Sequence, residues 1–65
     1  MSNRGSQHRH ILVIDDELTM RTVVREHFVS RGWQVTEADS VRSARERFAA
    51  GSFDAVLSDL ILPDG

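Results

Sequence analysis

Three carboxylates, Asp15, Asp16 and Asp59, are the residues whose types and spacing could do chemistry. Asp15 and Asp16 follow the apolar run Ile11-Leu12-Val13-Ile14, and Asp59 follows Ala55-Val56-Leu57-Ser58. If both runs are parallel strands of one open sheet, all three acids fall at carboxyl ends of strands, where such sheets bind ligands. Carboxylates gathered there repel one another until a cation joins them, so the set reads as a divalent metal site and a candidate phosphoryl acceptor. Magnesium prefers an octahedron of oxygens and keeps several waters, which suits two or three carboxylates plus a backbone carbonyl. A carboxylate beside such an ion can attack a phosphoryl group, because the metal neutralises charge on the transferring oxygens. Singly, each acid has a plainer role: Asp15, Asp16 and Glu17 as helix-capping acids, Asp59 as a turn residue. Their common position after strands on one edge of the sheet weighs against four coincidences.

The elements that must position these acids are legible from periodicity. His10 to Ile14 is short, β-branched and apolar without alternation after its first residue, as a central parallel strand covered on both faces should be. Glu17 to Arg31 has helical spacing, with Met20, Val23, Val24, His27 and Phe28 on one face and Gly32 as the C-terminal cap. Trp33 to Ala38 is less apolar and reads as an edge strand. Asp39 or Ser40 caps a second helix to about Ala50, with Val41, Ala44, Phe48 and Ala49 as its buried stripe and Gly51 closing it. Phe53 to Ser58 is a third strand, and Leu60 to Gly65 a loop in which Pro63 and Asp64-Gly65 signal a turn. This β-α-β-α-β order implies an α/β fold with parallel strands.

The totals bound the rest. With 65 residues there is at most one domain, small for a stable core without a staple. The absence of cysteine excludes a disulfide or a thiolate metal site and fits a cytoplasmic setting. No apolar run approaches a membrane span, and a net charge of −2 argues against direct nucleic-acid binding. All eight basic residues are arginine. Residues 1–9 are polar and read as a flexible tail. His8 and His10 could be a metal pair, but a solvated tail running into a strand is the plainer reading, since no third ligand lies nearby. The arginines of the second helix are read as a solvated face rather than a docking patch.

From about His10 to Gly65 the chain resembles the first half of a response-regulator receiver domain of two-component signalling. The resemblance rests on Ile11-Leu12-Val13-Ile14-Asp15-Asp16-Glu17, on Gly32-Trp33-Gln34-Val35 and on Asp54-Ala55-Val56-Leu57-Ser58-Asp59-Leu60-Ile61-Leu62-Pro63-Asp64-Gly65. It implies a flavodoxin-like doubly wound parallel sheet, here truncated to strand order 2-1-3. It implies that Asp59 accepts a phosphoryl group from a sensor histidine kinase or phosphotransfer protein. Asp15, Asp16, Asp59 and the backbone carbonyl of Ile61 would hold Mg²⁺, Pro63 and Gly65 would shape the loop, and Met20 would lie on the core side of its helix.

The chain also departs from the family. A receiver uses a Ser or Thr after its fourth strand and a Lys after its fifth, and neither segment is present in these 65 residues. The expectation is a regulatory phosphoacceptor rather than an enzyme, belonging to a parent such as a transcriptional regulator and unable to signal in this form. An exposed third strand would invite self-association, and a non-catalytic half-domain that pairs with itself or a partner through that strand is the alternative function. A haloacid-dehalogenase-type phosphatase also uses a strand-end Asp, but its motif is Asp-x-Asp, where this chain has adjacent Asp15-Asp16.

Overall fold

The computed structural model describes residues 9–58. The expected tail (Arg9 apart), Asp59 and the loop Leu60–Gly65 lie outside them. The elements are β1 (His10–Ile14), α1 (Leu18–Val29), β2 (Gln34–Ala38), α2 (Val41–Ala50) and β3 (Ala55–Ser58). The sheet is parallel, in the order β2-β1-β3. The expected α/β architecture and central β1 are therefore present, and among the described residues β2 and β3 are the edge strands.

β1 is central because only it can be covered everywhere. Ile11, Leu12, Val13 and Ile14 are all buried, and every residue of the strand pairs with β2 while Ile11 to Ile14 pair with β3. Its side chains alternate between faces. Leu12 and Ile14 pack with Ala38 and the α2 residue Ala44, with Phe53 against them. Val13 turns to the other face, where it lines a small cavity with Met20 and Val24 of α1.

α1 sits differently from its apolar pattern. Val24 and Phe28 are half-buried, but Met20, Val23 and His27 are exposed. With about 3.6 residues per turn, Arg21, Val24, Arg25 and Phe28 form one stripe, and this is the stripe that faces inward. The reason is electrostatic. Arg21 Nε and Arg25 Nε lie 3.0 and 3.2 Å from the two carboxylate oxygens of Glu37 on β2. Reaching Glu37 rolls the helix until the arginine stems cover the sheet and Met20 and Val23 move outward.

The end of α1 is set by Gly32. Trp33 N–H donates to the Phe28 carbonyl and Gly32 N–H to that of Val29, both at 3.0 Å. This pair of bonds is the Schellman arrangement, which needs a left-handed residue, and Gly32 has φ 88°. The Trp33 ring then meets Phe28 edge to face at 5.3 Å. α2 begins with a capping box: Ser43 N–H donates to Ser40 Oγ at 3.1 Å, and Ser40 N–H to Ser43 Oγ at 3.2 Å. Of the two expected caps it is Ser40 that fills the role, while Asp39 Oδ1 accepts from the Ser43 hydroxyl. Ala44 is buried and Val41 half-buried as expected, but Phe48 and Ala49 are exposed, because the flank of α2 above β3 is open. Gly51 follows α2 in an extended conformation.

β3 is shorter than the expected Phe53–Ser58, because Phe53 and Asp54 serve His10 instead. His10 N–H donates to Asp54 Oδ2 at 2.8 Å, and Asp54 N–H to the His10 carbonyl at 2.7 Å. The His10 ring lies 4.3 Å from Phe53. Its Nδ1 donates to the Ser52 carbonyl at 2.9 Å, and its Nε2 lies 2.7 Å from Thr36 Oγ1 on β2. Both ring nitrogens thus join segments on either side of β1, so His10 is an anchor of the sheet rather than part of a solvated tail. His8 lies outside the described residues. No described helix is long and apolar enough to cross a membrane.

Two substitutions test these anchors by urea denaturation read from Trp33 fluorescence. Gly32→Ala should lower stability by about 1–2 kcal/mol, the cost of a left-handed residue with a Cβ. His10→Phe keeps a ring against Phe53 but loses both nitrogens, and should cost about 1–3 kcal/mol at roughly 0.5–1.5 for each hydrogen bond. Wild-type stability in the second variant would mean that ring packing alone holds this end.

Candidate functional site

The carboxyl ends of β1 and β3 lie side by side, with Ile14 opposite Ser58 in the register. Asp15 is the next residue after β1 and continues its pairing: its N–H donates to the Ala38 carbonyl at 3.1 Å. This is why a charged residue can be 5% exposed at the end of an apolar strand. Its backbone belongs to the sheet, while its side chain occupies the turn into α1. Asp15 Oδ1 accepts from Glu17 N–H at 2.9 Å, and the Asp15 carbonyl accepts from Arg21 Nη1 at 2.8 Å. Glu17 takes the N-cap position of α1 with no side-chain cap bond, so the buried aspartate ties down the helix entry that the acids were expected to cap.

Asp16 is exposed. Neither its carboxylate nor the second oxygen of Asp15 has a hydrogen-bond or ion-pair partner among the described residues. No buried polar side-chain atom among the described residues, those of Asp15 included, is left unsatisfied. A cavity of about 100 Å³ is lined by Val13, Ile14, Asp15, Met20, Val24, Leu57 and Ser58. Met20, expected on the core side, lines this cavity with Asp15 but is 44% exposed.

This donor set fits a hard divalent cation. Two adjacent carboxylates carry free oxygens at a strand end, and no described cation is paired with either. Arg21 is within reach of the turn but bonds its backbone. Asp59 and Ile61, the other expected ligands, lie outside the described residues. Among the described residues no group of three or more metal-ligating side chains is gathered. Two acids of the expected set are thus together at one strand end, and Asp59 is the residue after Ser58 in sequence.

Reasoning from the sequence missed the roles of Arg21 and Glu37. Their signal is faint: an arginine one turn into the helix after the acidic pair, and an acid one position before the end of β2. A larger apolar groove of about 370 Å³ runs between α2 and β3, lined by Leu12, Ile14, Val41, Ala44, Phe48 and Val56 among others. It lies on the opposite face from α1, and no carboxylate lines it among the described residues.

No solved structure matches the chain. The response regulator receiver domain model matches residues 11–65, from the second residue of β1 through the last residue of the chain. The strand order, the buried acid after β1 and this match over most of the length agree, and the chain belongs to the response regulator receiver domain family.

Proposed function

We propose that this chain is the phosphoacceptor segment of a two-component response regulator. Asp59 takes a phosphoryl group from a sensor histidine kinase or phosphotransfer protein. Asp15 and Asp16, with Asp59 and the Ile61 carbonyl, hold Mg²⁺ for the transfer. The observation that carries this is the register of β1 on β3: Ile14 pairs with Ser58, and the next residue on each strand is an aspartate. Family membership supports it, since receiver domains are regulatory phosphoacceptors that meet histidine kinases or phosphotransfer partners.

The chain's own residues divide the work. Asp15 is fixed by its pairing with Ala38 and by Glu17, so one of its oxygens has a set direction. Asp16 adds exposed negative charge beside it. In the transfer, the bond from phosphorus to the donor's imidazole nitrogen breaks, one forms to an Asp59 oxygen, and the imidazole keeps the bonding pair and takes up a proton. Bound Mg²⁺ would neutralise charge on the transferring oxygens. The product is an acyl phosphate on the protein itself, a regulatory mark rather than turnover. A cytoplasmic location, a transcriptional output elsewhere in a parent protein and no direct contact with nucleic acid belong to the same reading.

Incubating the chain with acetyl phosphate and Mg²⁺, then mapping the product by mass spectrometry, tests it. One phosphoryl group should appear on Asp59, need the metal, and vanish in Asp59→Asn. Modification of Asp15 instead would favour a phosphatase-type nucleophile, and an unmodified folded chain would sink the proposal.

β3 favours a second reading, association of two copies. Among the described residues it pairs only with β1, and Val56 and Leu57 are 49% and 42% exposed on its opposite faces. Such a short edge can pair antiparallel with its own copy about a two-fold axis. Sedimentation should then show a concentration-dependent dimer that Val56→Lys disperses. A monomer throughout the micromolar range would end this reading.

A further inference from the structure

Arg21 reaches the acidic turn, yet among the described residues it forms no hydrogen bond or ion pair with a carboxylate there. Its Nη1 donates to the Asp15 carbonyl at 2.8 Å, and its Nε to Glu37 Oε1 at 3.0 Å. Arg25 holds the other Glu37 oxygen at 3.2 Å. The Arg21 side chain is only 15% exposed, so these are its main partners. The bonded carbonyl belongs to the peptide that joins Asp15 to Asp16. That peptide is therefore held by the guanidinium while the strand bond to Ala38 holds the one before it.

We infer that Arg21 is a positioning residue for the acidic pair: it fixes the peptide between Asp15 and Asp16, and Glu37 holds its charge so that both carboxylates stay open to a hard divalent cation. The inference rests on the metal reading proposed above. The chemistry selects arginine. Its planar fork presents separate donors in fixed directions, so one group can serve a carbonyl and a carboxylate together. A lysine ammonium on a flexible stem has no such fixed division of donors. Glu37 matters for a second reason. An arginine beside two acids would pair with them if nothing else claimed it, and would then compete with a metal. Glu37 accepts from both Arg21 and Arg25, so the guanidinium nearest the turn already has a carboxylate partner away from the acidic pair.

Two effects of Arg21 on a cation have opposite signs. As a bare positive charge it repels the ion, and as a support for the ligand peptide it aids it. Removing the side chain shows which dominates. The measurement is Mn²⁺ titration of the full chain, followed by electron paramagnetic resonance of the free ion, with Mg²⁺ as competitor and circular dichroism to establish folding of each variant. Groups that orient metal ligands from behind typically change affinity by about 10–100-fold, and one acting through the backbone belongs near the lower figure. Arg21→Ala should therefore weaken binding about tenfold. Arg21→Lys should fall between it and the wild type, and Glu37→Gln should also weaken binding by leaving Arg21 uncompensated. A merely structural arginine would lower the melting temperature of the metal-free chain but leave the affinity of the folded variant unchanged.

A folded Arg21→Ala chain that binds as tightly as wild type, or more tightly, overturns the inference alone. Should that variant not fold, wild-type affinity in both Arg21→Lys and Glu37→Gln overturns it equally. Failure of the wild type to bind, or wild-type binding by Asp16→Asn, overturns the metal reading and the inference with it.

Discussion

The burial of β1 between two parallel neighbours is the constraint on which the rest of this structure depends. Ile11 to Ile14 find cover on both faces and pairing on both edges. Leu12 and Val13 are the most deeply buried, each contributing about 1.5–3 kcal/mol through the water their side chains leave. The strand's position then fixes the acids. Side chains alternate, so a slip by one residue would turn Leu12 and Ile14 away from α2 and shift Asp15 off the strand end. The location of the acidic pair is thus decided by four apolar residues that have no chemistry of their own.

Charge is partitioned with the same economy. The acids at the end of β1 are left without a cationic partner among the described residues, while Glu37 has two. Seating two guanidinium groups against the sheet has a packing consequence. α1 rolls toward β2, and Met20 and Val23 lose cover that their spacing would otherwise give them. A half-buried ion pair gains little over a well-packed apolar contact. The arrangement is therefore better explained by what Arg21 does at the Asp15 carbonyl than by stability alone.

The sequence was legible where one local cause decides the outcome. A short, continuous apolar run marks a doubly covered strand, Gly32 after a helical stretch marks its C-terminal cap, and Asp39-Ser40 ahead of a helical pattern marks a helix entry. It was illegible where partners are remote in the chain. His10 sits in a polar stretch and looks like the end of a tail, yet its ring joins Thr36 and Ser52, and its backbone joins Asp54, far along the sequence. For the same reason β3 begins later than its composition suggests. The apolar stripe of α1 misled because arginine stems cover a sheet as well as aliphatic residues do, and no apolar count includes them. At the site, the acidic pair was legible from its place after a strand. Arg21 was not, because its carboxylate partner belongs to another strand.

β1 is also held at both ends by polar contacts of different kinds. At its start, His10 fastens it to Thr36 on β2 and to the segment before β3. At its finish, Asp15 continues the ladder to Ala38 and receives Arg21. Between these anchors α2 covers Leu12 and Ile14 through Ala44, while Val23 and Val29 of α1 stay exposed. α2 packs below Leu12 and Ile14 and makes no hydrogen bond to the acidic turn. α1 meets that turn through Glu17 N–H at its entry and through the guanidinium of Arg21. A rotation of α1 about its own axis barely moves the first contact but swings the second away from the Asp15 carbonyl. Whatever disturbs the seating of α1 on β2 therefore reaches the acids through Arg21, and α2 meets the same Glu37 through Arg47, whose Nε donates to the Glu37 carbonyl at 3.1 Å.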